Sequence, residues 1–114
     1  MARNSQRIVT DEDVDKALAW LRDGARDLGH AKERLVKAEH MVRVVEALEM
    51  KRSDAKAAEA RKADARTTDK YMEAVLEEAA AAGDYEMLRA LREAASARIE
   101  SWRTESSNLR SVRL

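Results

Sequence analysis

The stretch TDEDVDKALAWLRDGARDLGHAKERLVKAEHMVRVVEALEM, residues 10–50, decides the fold of this 114-residue chain. Its apolar residues recur every three or four positions, which is the period of one face of an α-helix. Thr10 and the three acids that follow it form a helix start signal. We therefore predict one long helix over 11–50. Its apolar stripe comprises Val14, Leu18, Leu21, Ala25, Leu28, Ala31, Leu35, Ala38, Val42, Val45 and Leu48.

Three glycines leave alternatives open within the helical pattern. Gly24 and Gly29 each cost about 1 kcal/mol relative to alanine inside a helix. Gly29 could also be the residue just past the end of a helix, where glycine is common. The stripe continues on both sides, which favours one helix over two. Two interpretations are also open at Gly83: a glycine tolerated within a helix, or a turn that divides the helix in two.

The composition agrees with long helices and few turns. The chain has no proline, cysteine or phenylalanine, and 39% of its residues are charged. Proline and glycine are the residues that interrupt helices and build turns. We predict an exposed connecting helix over 54–66 with Ser53 as its N-cap, a second long helix over 69–107 and a basic tail over 108–114. The second stripe comprises Met72, Val75, Leu76, Ala79, Leu88, Leu91, Ala95, Ile99, Trp102, Ser106 and Leu109.

Two helices of similar length joined by a short connection fold back on each other in antiparallel fashion. We predict an all-α, single-domain protein: a long antiparallel helical hairpin resembling a coiled coil. Trp20 would then lie near Ile99 and Trp102, and these three residues are the predicted packing anchors. An intertwined dimer buries the same stripes, so the sequence leaves it as an alternative.

The predicted core is thin, which indicates self-association. Only four residues are aromatic, and many of the apolar positions of the chain are alanine, which removes little surface from water. Around residue 41 the apolar surface of the first helix becomes wider than one stripe. We predict a homo-oligomer, a dimer or larger, with the contact formed by Met41, Val42, Val44 and Val45.

The sequence offers no catalytic chemistry. His30 and His40 are ten positions apart, about 15 Å along a helix, which is too far for one metal ion. No phosphate loop, metalloprotease or nucleophile motif is present. We therefore predict no enzyme activity, cofactor, metal or small-molecule substrate. The absence of a long apolar run and of a signal-like start indicates no membrane contact and a cytoplasmic location.

Charge is balanced overall but unevenly distributed. The net charge is zero, whereas 71–97 carries −4 and the last segment, 98–114, carries +2. In that basic segment, Arg98, Arg103, Arg110 and Arg113 surround Trp102. Arginines beside an aromatic ring can bind phosphates and stack on bases. Because Trp102 also lies on the apolar stripe, packing in the core is the alternative for it.

The run from Ala97 to Arg110, ARIESWRTESSNLR, resembles small helical proteins of tailed phages and prophages. Their genes lie near those of single-strand annealing recombinases and exonucleases. The similar positions are Trp102, Arg103, Thr104, Ser107 and Arg110. The resemblance covers roughly the second half of the chain. It implies an accessory role beside DNA recombination, inside the host cytoplasm if the chain is phage-encoded.

These observations predict a non-enzymatic, oligomeric helical accessory or adaptor protein that contacts a protein partner or DNA. A direct single-stranded DNA-binding module is the main alternative. A component of virion assembly or scaffolding is a further one. Binding to DNA at low salt distinguishes the second class from the first, and copurification with particles distinguishes the third.

Overall fold

The computed structural model describes residues 7–113, and it describes side chains up to Val112. Helix α1 is Asp11–Arg52, helix α2 is Ala58–Ala65 and helix α3 is Asp69–Arg113. No strand occurs within the described residues. The fold is all-α, an antiparallel helical hairpin with a short connecting helix, as predicted.

Helix α1 begins with a reciprocal pair of hydrogen bonds. The backbone N–H of Asp13 donates to Thr10 Oγ1 at 3.1 Å, and the backbone N–H of Thr10 donates to Asp13 Oδ2 at 3.1 Å. This arrangement satisfies two backbone donors that have no partner at the start of a helix. Val9 and Val14 are both buried beside the cap, at the spacing of a hydrophobic staple. The predicted threonine cap is confirmed.

Helix α1 continues through both of its glycines, the alternative that the stripe favoured. The ring of Trp20 covers Gly24, and the absence of a side chain at Gly24 leaves room for that ring. A Cβ atom built at Gly24 would lie 3.2 Å from the Trp20 ring, whereas one at Gly29 would meet nothing within 4 Å. Gly83 likewise lies inside α3 without interrupting it.

The connection differs from its prediction. Helix α2 has eight residues, not the thirteen of 54–66, and its N-cap is Ala57 instead of Ser53. The Ser53 hydroxyl accepts the backbone N–H of Ala55 at 3.2 Å and donates to Asp64 Oδ2 at 2.6 Å, so it stabilises a turn that precedes the helix. Most of the connection is exposed as predicted, but Ala65 is fully buried.

Helix α3 begins where the sequence predicts and ends later. Thr68 Oγ1 accepts the backbone N–H of Tyr71 at 3.2 Å and so caps the first turn. The helix then continues to Arg113, so the predicted end at 107 is wrong and the predicted tail is helical over 108–113, while Leu114 lies outside the described residues. Serine and asparagine cost at most about 0.7 kcal/mol each within a helix, and no glycine or proline follows to end it.

The chain divides into two compact units. One, the terminal unit, joins the residues up to Leu28 to those from Met87 onward; the other, the central unit, is Gly29–Glu86. In the terminal unit, the backbone N–H of Ile8 donates to Glu105 Oε1 at 3.2 Å, and Trp102 Nε1 donates to Asp11 Oδ1 at 2.7 Å. Going from Ile8 to Asp11 along the chain, the contacted residue moves back from Glu105 to Trp102, so the two helical stretches are antiparallel. The prediction of a single domain stays a prediction.

The central unit is also held by contacts between antiparallel stretches. Arg34 binds Glu77 at 2.8 Å and Asp84 at 2.6 Å, and Arg66 binds Glu46 at 2.8 Å. Lys32 Nζ lies 5.0 Å from the centre of the Tyr85 ring, at the distance of a cation–π contact.

Small apolar side chains occupy most of the buried positions: the central unit buries only alanines among its apolar residues, whereas the terminal unit buries Val9 and Val14 as well as alanines. Ala17 and Ala95 are buried in the terminal unit, and Ala38, Ala65 and Ala81 in the central unit. No large side chain is fully buried among the described residues. The interior of each unit is therefore made mostly of methyl groups, which exclude little apolar surface from water.

The second predicted stripe is wrong at its start. Met72 and Leu76 are 52% and 61% exposed, whereas Ala74 and Ala81 lie inward. Residues 74–82 are apolar on several sides of the helix, so the period alone does not select the inner side. Leu18, Leu48 and Leu91 also lie outside, each about half exposed.

Candidate interaction surfaces

The predicted self-association residues on α1 separate into two groups. Met41 is 48% exposed, whereas Val42, Val44 and Val45 are half-buried. By the helical period, Val42 and Val45 lie on the side that carries the buried Ala38, and Met41 and Val44 lie to one side of it. Only Met41 of the four therefore offers a large exposed apolar side chain.

A regular surface on α1 nevertheless includes Met41. We call it the basic face of α1: Lys37, Met41, Val44, Leu48 and Lys51. These positions alternate steps of four and three, so they share one side of the helix. Leu48 is 54% exposed and both lysines are exposed. Leu48 has the period of the inner stripe, so its position in the sequence does not indicate a surface residue.

Helix α3 carries a second apolar surface in the same unit. We call it the acidic face of α3: Asp69, Met72, Glu73, Leu76 and Ala80, all of which are exposed. The helical period places them on one side of α3. The apolar period places Met72 and Leu76 in the core, so the sequence does not predict this face. The Asp69 and Glu73 carboxylates at exposed positions were the available signal.

Arg34 links the two helices beside these faces. Its guanidinium binds Glu77 and Asp84, which lie two turns apart on α3. Two hydrogen bonds raise the pKa of Arg34. The one to Glu77 has the larger effect and the one to Asp84 the smaller. The bond to Glu77 also lowers the pKa of the Glu77 carboxyl. The side chains are 43–56% exposed, so water screens these pairs and their main effect is to align the helices.

A small groove with a positive rim lies at the C-terminal end of the basic face. Its volume is about 260 Å³, and Val45 and Leu48 supply apolar lining. Lys51, Arg52 and Lys70 supply the cations, although Arg52 also lies 3.5 Å from the buried Glu49 carboxylate. Such a groove fits an apolar side chain that has an acid next to it.

In the terminal unit, arginines gather around Trp102. We call this cavity of about 490 Å³ the arginine cleft, and it is lined by Arg7, Trp102, Arg103, Ser106, Ser107, Leu109 and Arg110. Arg103 pairs with Glu100 at 3.0 Å, and Arg7 lies 3.5 Å from Asp11. Arg110 has no ion pair with any described residue. The Ser106 hydroxyl is buried without a hydrogen-bond partner in the described part of the chain.

The cleft therefore contains two of the four predicted contact arginines, Arg103 and Arg110. Arg98 is exposed outside it, and its charge helps to lower the pKa of Asp13, after the larger effects of hydrogen bonds from Thr10. The side chain of Arg113 lies outside the described residues. Arg7 joins the cleft from almost a hundred positions away, and no local pattern in the sequence marks it.

The predicted packing anchors are each half-buried. Trp20 lies over Gly24 of its own helix, and Trp102 donates its indole N–H to Asp11. Ile99 lies one turn before Trp102 on α3. Each tryptophan thus has a defined local contact, while the contact predicted between Trp20 and the other two anchors stays a prediction.

The described residues contain neither a metal-binding cluster nor a membrane-spanning helix. No group of three or more histidine, cysteine, aspartate or glutamate side chains is placed to hold a metal ion within residues 7–113. In the same part of the chain, no helix has the length and hydropathy that crossing a membrane requires. No family model matches this chain, and neither a curated protein nor a solved structure is significantly similar to it.

Proposed function

We propose that this protein is a non-enzymatic, self-associating helical adaptor. The observation that supports this proposal is the set of half-exposed apolar side chains on the central unit: Met41, Leu48, Met72 and Leu76. Burying a whole leucine or methionine side chain contributes about 1.5–3 kcal/mol. These four are about half exposed, so covering them in a complex contributes on the order of 1 kcal/mol each.

The alanine interior makes this contribution matter. A domain is stable by only about 5–15 kcal/mol, and the described residues have no fully buried large side chain to supply it. Several kcal/mol from an intermolecular contact is a large fraction of that total. Self-association therefore stabilises the folded chain, and it presents several copies of the same surfaces to a partner.

The biological setting of the proposal rests on the sequence resemblance alone. The Trp102–Arg110 run resembles phage and prophage proteins encoded near recombination genes. We propose an accessory role beside DNA recombination in the cytoplasm, in which the oligomer joins other proteins or brings them to DNA. Pull-down of neighbouring gene products by the tagged full chain tests that role.

Light scattering coupled to gel filtration tests the self-association. We expect a mass at least twice the chain mass of 12.9 kDa. The variant Leu48→Gln/Leu76→Gln should move the mass toward the monomer. Leu18→Gln/Leu91→Gln is the matched control, because those leucines are similarly exposed but lie outside the central unit. A wild-type mass of 12.9 kDa at all concentrations would contradict the proposal.

A second candidate function, direct binding of single-stranded DNA, is favoured by the arginine cleft. Arg103 and Arg110 lie there with Arg7 and two serine hydroxyls, beside the Trp102 ring. Guanidinium groups bind phosphates, and an aromatic ring offers a surface for a base. Glu100 and Asp11 pair with two of the arginines, so Arg110 is the one with its charge available.

Fluorescence anisotropy with a labelled oligonucleotide tests this second function. Binding should weaken steeply as salt rises, because phosphate contacts release counterions. Arg110→Gln should weaken it, whereas Arg92→Gln, an exposed arginine of the same helix away from the cleft, should not. The absence of binding at about 50 mM salt would exclude DNA as a direct ligand.

A further inference from the structure

We infer that a second copy of the chain docks with unlike faces together: the basic face of α1 packs on the acidic face of α3 of the other copy. The inference rests on the proposed self-association and specifies its surfaces. Both faces belong to the central unit, and each is an apolar surface with exposed charges of one dominant sign.

Charge complementarity is the first argument. Within the central unit, the α1 stretch 29–52 has six lysines and arginines and four acids. The α3 stretch 69–86 has six acids and a single lysine. Lys37 and Lys51 lie at the two ends of the basic face, while Asp69 and Glu73 lie at one end of the acidic face. Opposite potentials on two apolar surfaces favour their association.

The spacing of the two faces is the second argument. Residues 37, 41, 44, 48 and 51 alternate steps of four and three, and on the acidic face residues 69, 73, 76 and 80 do so as well. This is the spacing at which the side chains of one helix fit between those of another in a coiled coil. Leucine and methionine of the basic face then meet Leu76 and Ala80 of the acidic face, and the small alanine allows close approach.

The groove beside Leu48 gives this pairing a local contact. Three cations, Lys51, Arg52 and Lys70, line the groove with one carboxylate, that of Glu49, so its apolar lining and net positive charge match an apolar side chain with an adjacent acid. On the acidic face, Met72 and Glu73 are such a neighbouring pair, and both are exposed. A methionine seated in the groove places the next carboxylate close to its rim.

Pairing of like faces is disfavoured by the same charges. Consider two basic faces that pack antiparallel about the midpoint between Met41 and Leu48. Lys37 of one copy then lies opposite Arg52 of the other copy, next to Lys51. If two acidic faces pack, Asp69 and Glu73 approach the other acids of α3. Juxtaposed like charges cost several kcal/mol at an interface, so the chain discriminates against both arrangements.

Complementary charge reversals test the inference on the full chain. Lys37→Glu/Lys51→Glu makes the first face acidic, and Glu73→Lys/Ala80→Lys makes the second face basic. We expect each variant alone to self-associate at least about tenfold more weakly than the wild type, and an equimolar mixture to recover the wild-type mass by light scattering. Lys56→Glu/Arg92→Glu is the control with the same charge change as the first variant, at exposed positions outside both faces.

Each other outcome overturns the inference in a distinct way. If only the second variant still self-associates, the contact joins two basic faces; if only the first does, it joins two acidic faces. If both variants weaken but their mixture does not recover, the charges do not pair across the contact. None of these results contradicts the proposed self-association. A monomeric wild type would contradict both the self-association and the pairing of unlike faces. Far-UV circular dichroism confirms that each variant is helical. Salt provides an independent test: if self-association of the wild type does not weaken from about 50 to 500 mM salt, the inference is contradicted.

Discussion

The indole Nε1 of Trp102 donates a 2.7 Å hydrogen bond to Oδ1 of Asp11, the first residue of α1. The same carboxylate oxygen lies 3.5 Å from Arg7 Nη1. Asp11 thus serves two purposes: it favours the start of α1 through the helix dipole, and it attaches that start to α3. Trp102 is consequently a half-buried residue with a polar partner, as tryptophan usually is when part of its ring is covered.

Replacing Trp102 with phenylalanine should lower stability by about 1 kcal/mol, because a hydrogen bond to a charged group is lost at a solvated position. Trp102→Ala should cost about 2–3 kcal/mol, less than the loss expected for a fully buried tryptophan. Urea unfolding measured at a fixed protein concentration gives both values.

A double-mutant cycle with Asp11→Asn separates the hydrogen bond from the loss of ring volume. The effects of Trp102→Phe and Asp11→Asn should be less than additive, because either change removes the same bond. Full additivity would show that the bond contributes nothing to the stability of the folded chain.

Thr10→Ala should destabilise the chain by about 1 kcal/mol, since it removes the acceptor for the Asp13 backbone N–H. Thr10→Ser keeps the hydroxyl and is the matched control. Thermal unfolding followed by circular dichroism measures both variants. Equal midpoints for the alanine and serine variants would be inconsistent with a cap at this residue.

The glycines of α1 should respond differently to alanine. Gly29→Ala should stabilise the chain by up to about 1 kcal/mol, because alanine favours helix and its Cβ would lie in open space. Gly24→Ala should gain less, because its Cβ would lie 3.2 Å from the Trp20 ring. The two unfolding midpoints, compared at one concentration, check the difference; a larger gain at Gly24 would contradict the packing of Trp20.

Stability should fall on acidification because two carboxyl groups have lowered pKa values in the folded chain. Hydrogen bonds with Thr10 lower that of Asp13, and the bond from Arg34 lowers that of Glu77. A group with a lowered pKa stabilises the fold above its unfolded pKa, here about 3.8 and 4.5. The stabilisation is lost as the pH falls through the lower folded value.

Thermal midpoints recorded between about pH 7 and pH 3 measure this loss. Glu77→Gln should make the decline shallower, because one of the two groups no longer titrates. Glu78→Gln, on the same helix, outside both faces and without a side-chain hydrogen bond to any described residue, is the control. An unchanged slope for Glu77→Gln would mean that Arg34 does not hold that carboxylate in solution.

The helices were predictable because their signals are local. Thr10 and Thr68 mark helix starts through bonds to residues three positions later, and the apolar period of α1 extends past Gly24 and Gly29. The antiparallel fold followed from the short connection. The end of α3 was missed because serine and asparagine weaken a helix without ending it.

The surfaces were harder to predict, because several sides of each helix are apolar. Met72 and Leu76 are larger than Ala74 and Ala81, so a ranking by size places the wrong residues inside. The arginine cleft depends on Arg7, which approaches Arg103 and Arg110 only after folding. Spacing along the chain carries no information about such a contact.

The alanine interior has one more consequence, for the register of the central unit. Ala31 and Ala38 on α1 are seven positions apart, and so are Ala74 and Ala81 on α3. A slip of one helix by two turns would again set one alanine against another, although it would also displace the half-buried Leu35, Val42 and Val45 from their neighbours. The same slip would leave Arg34 with only one of its two acids. The alanine spacing alone does not select one register, and the two ion pairs of Arg34 favour the observed one.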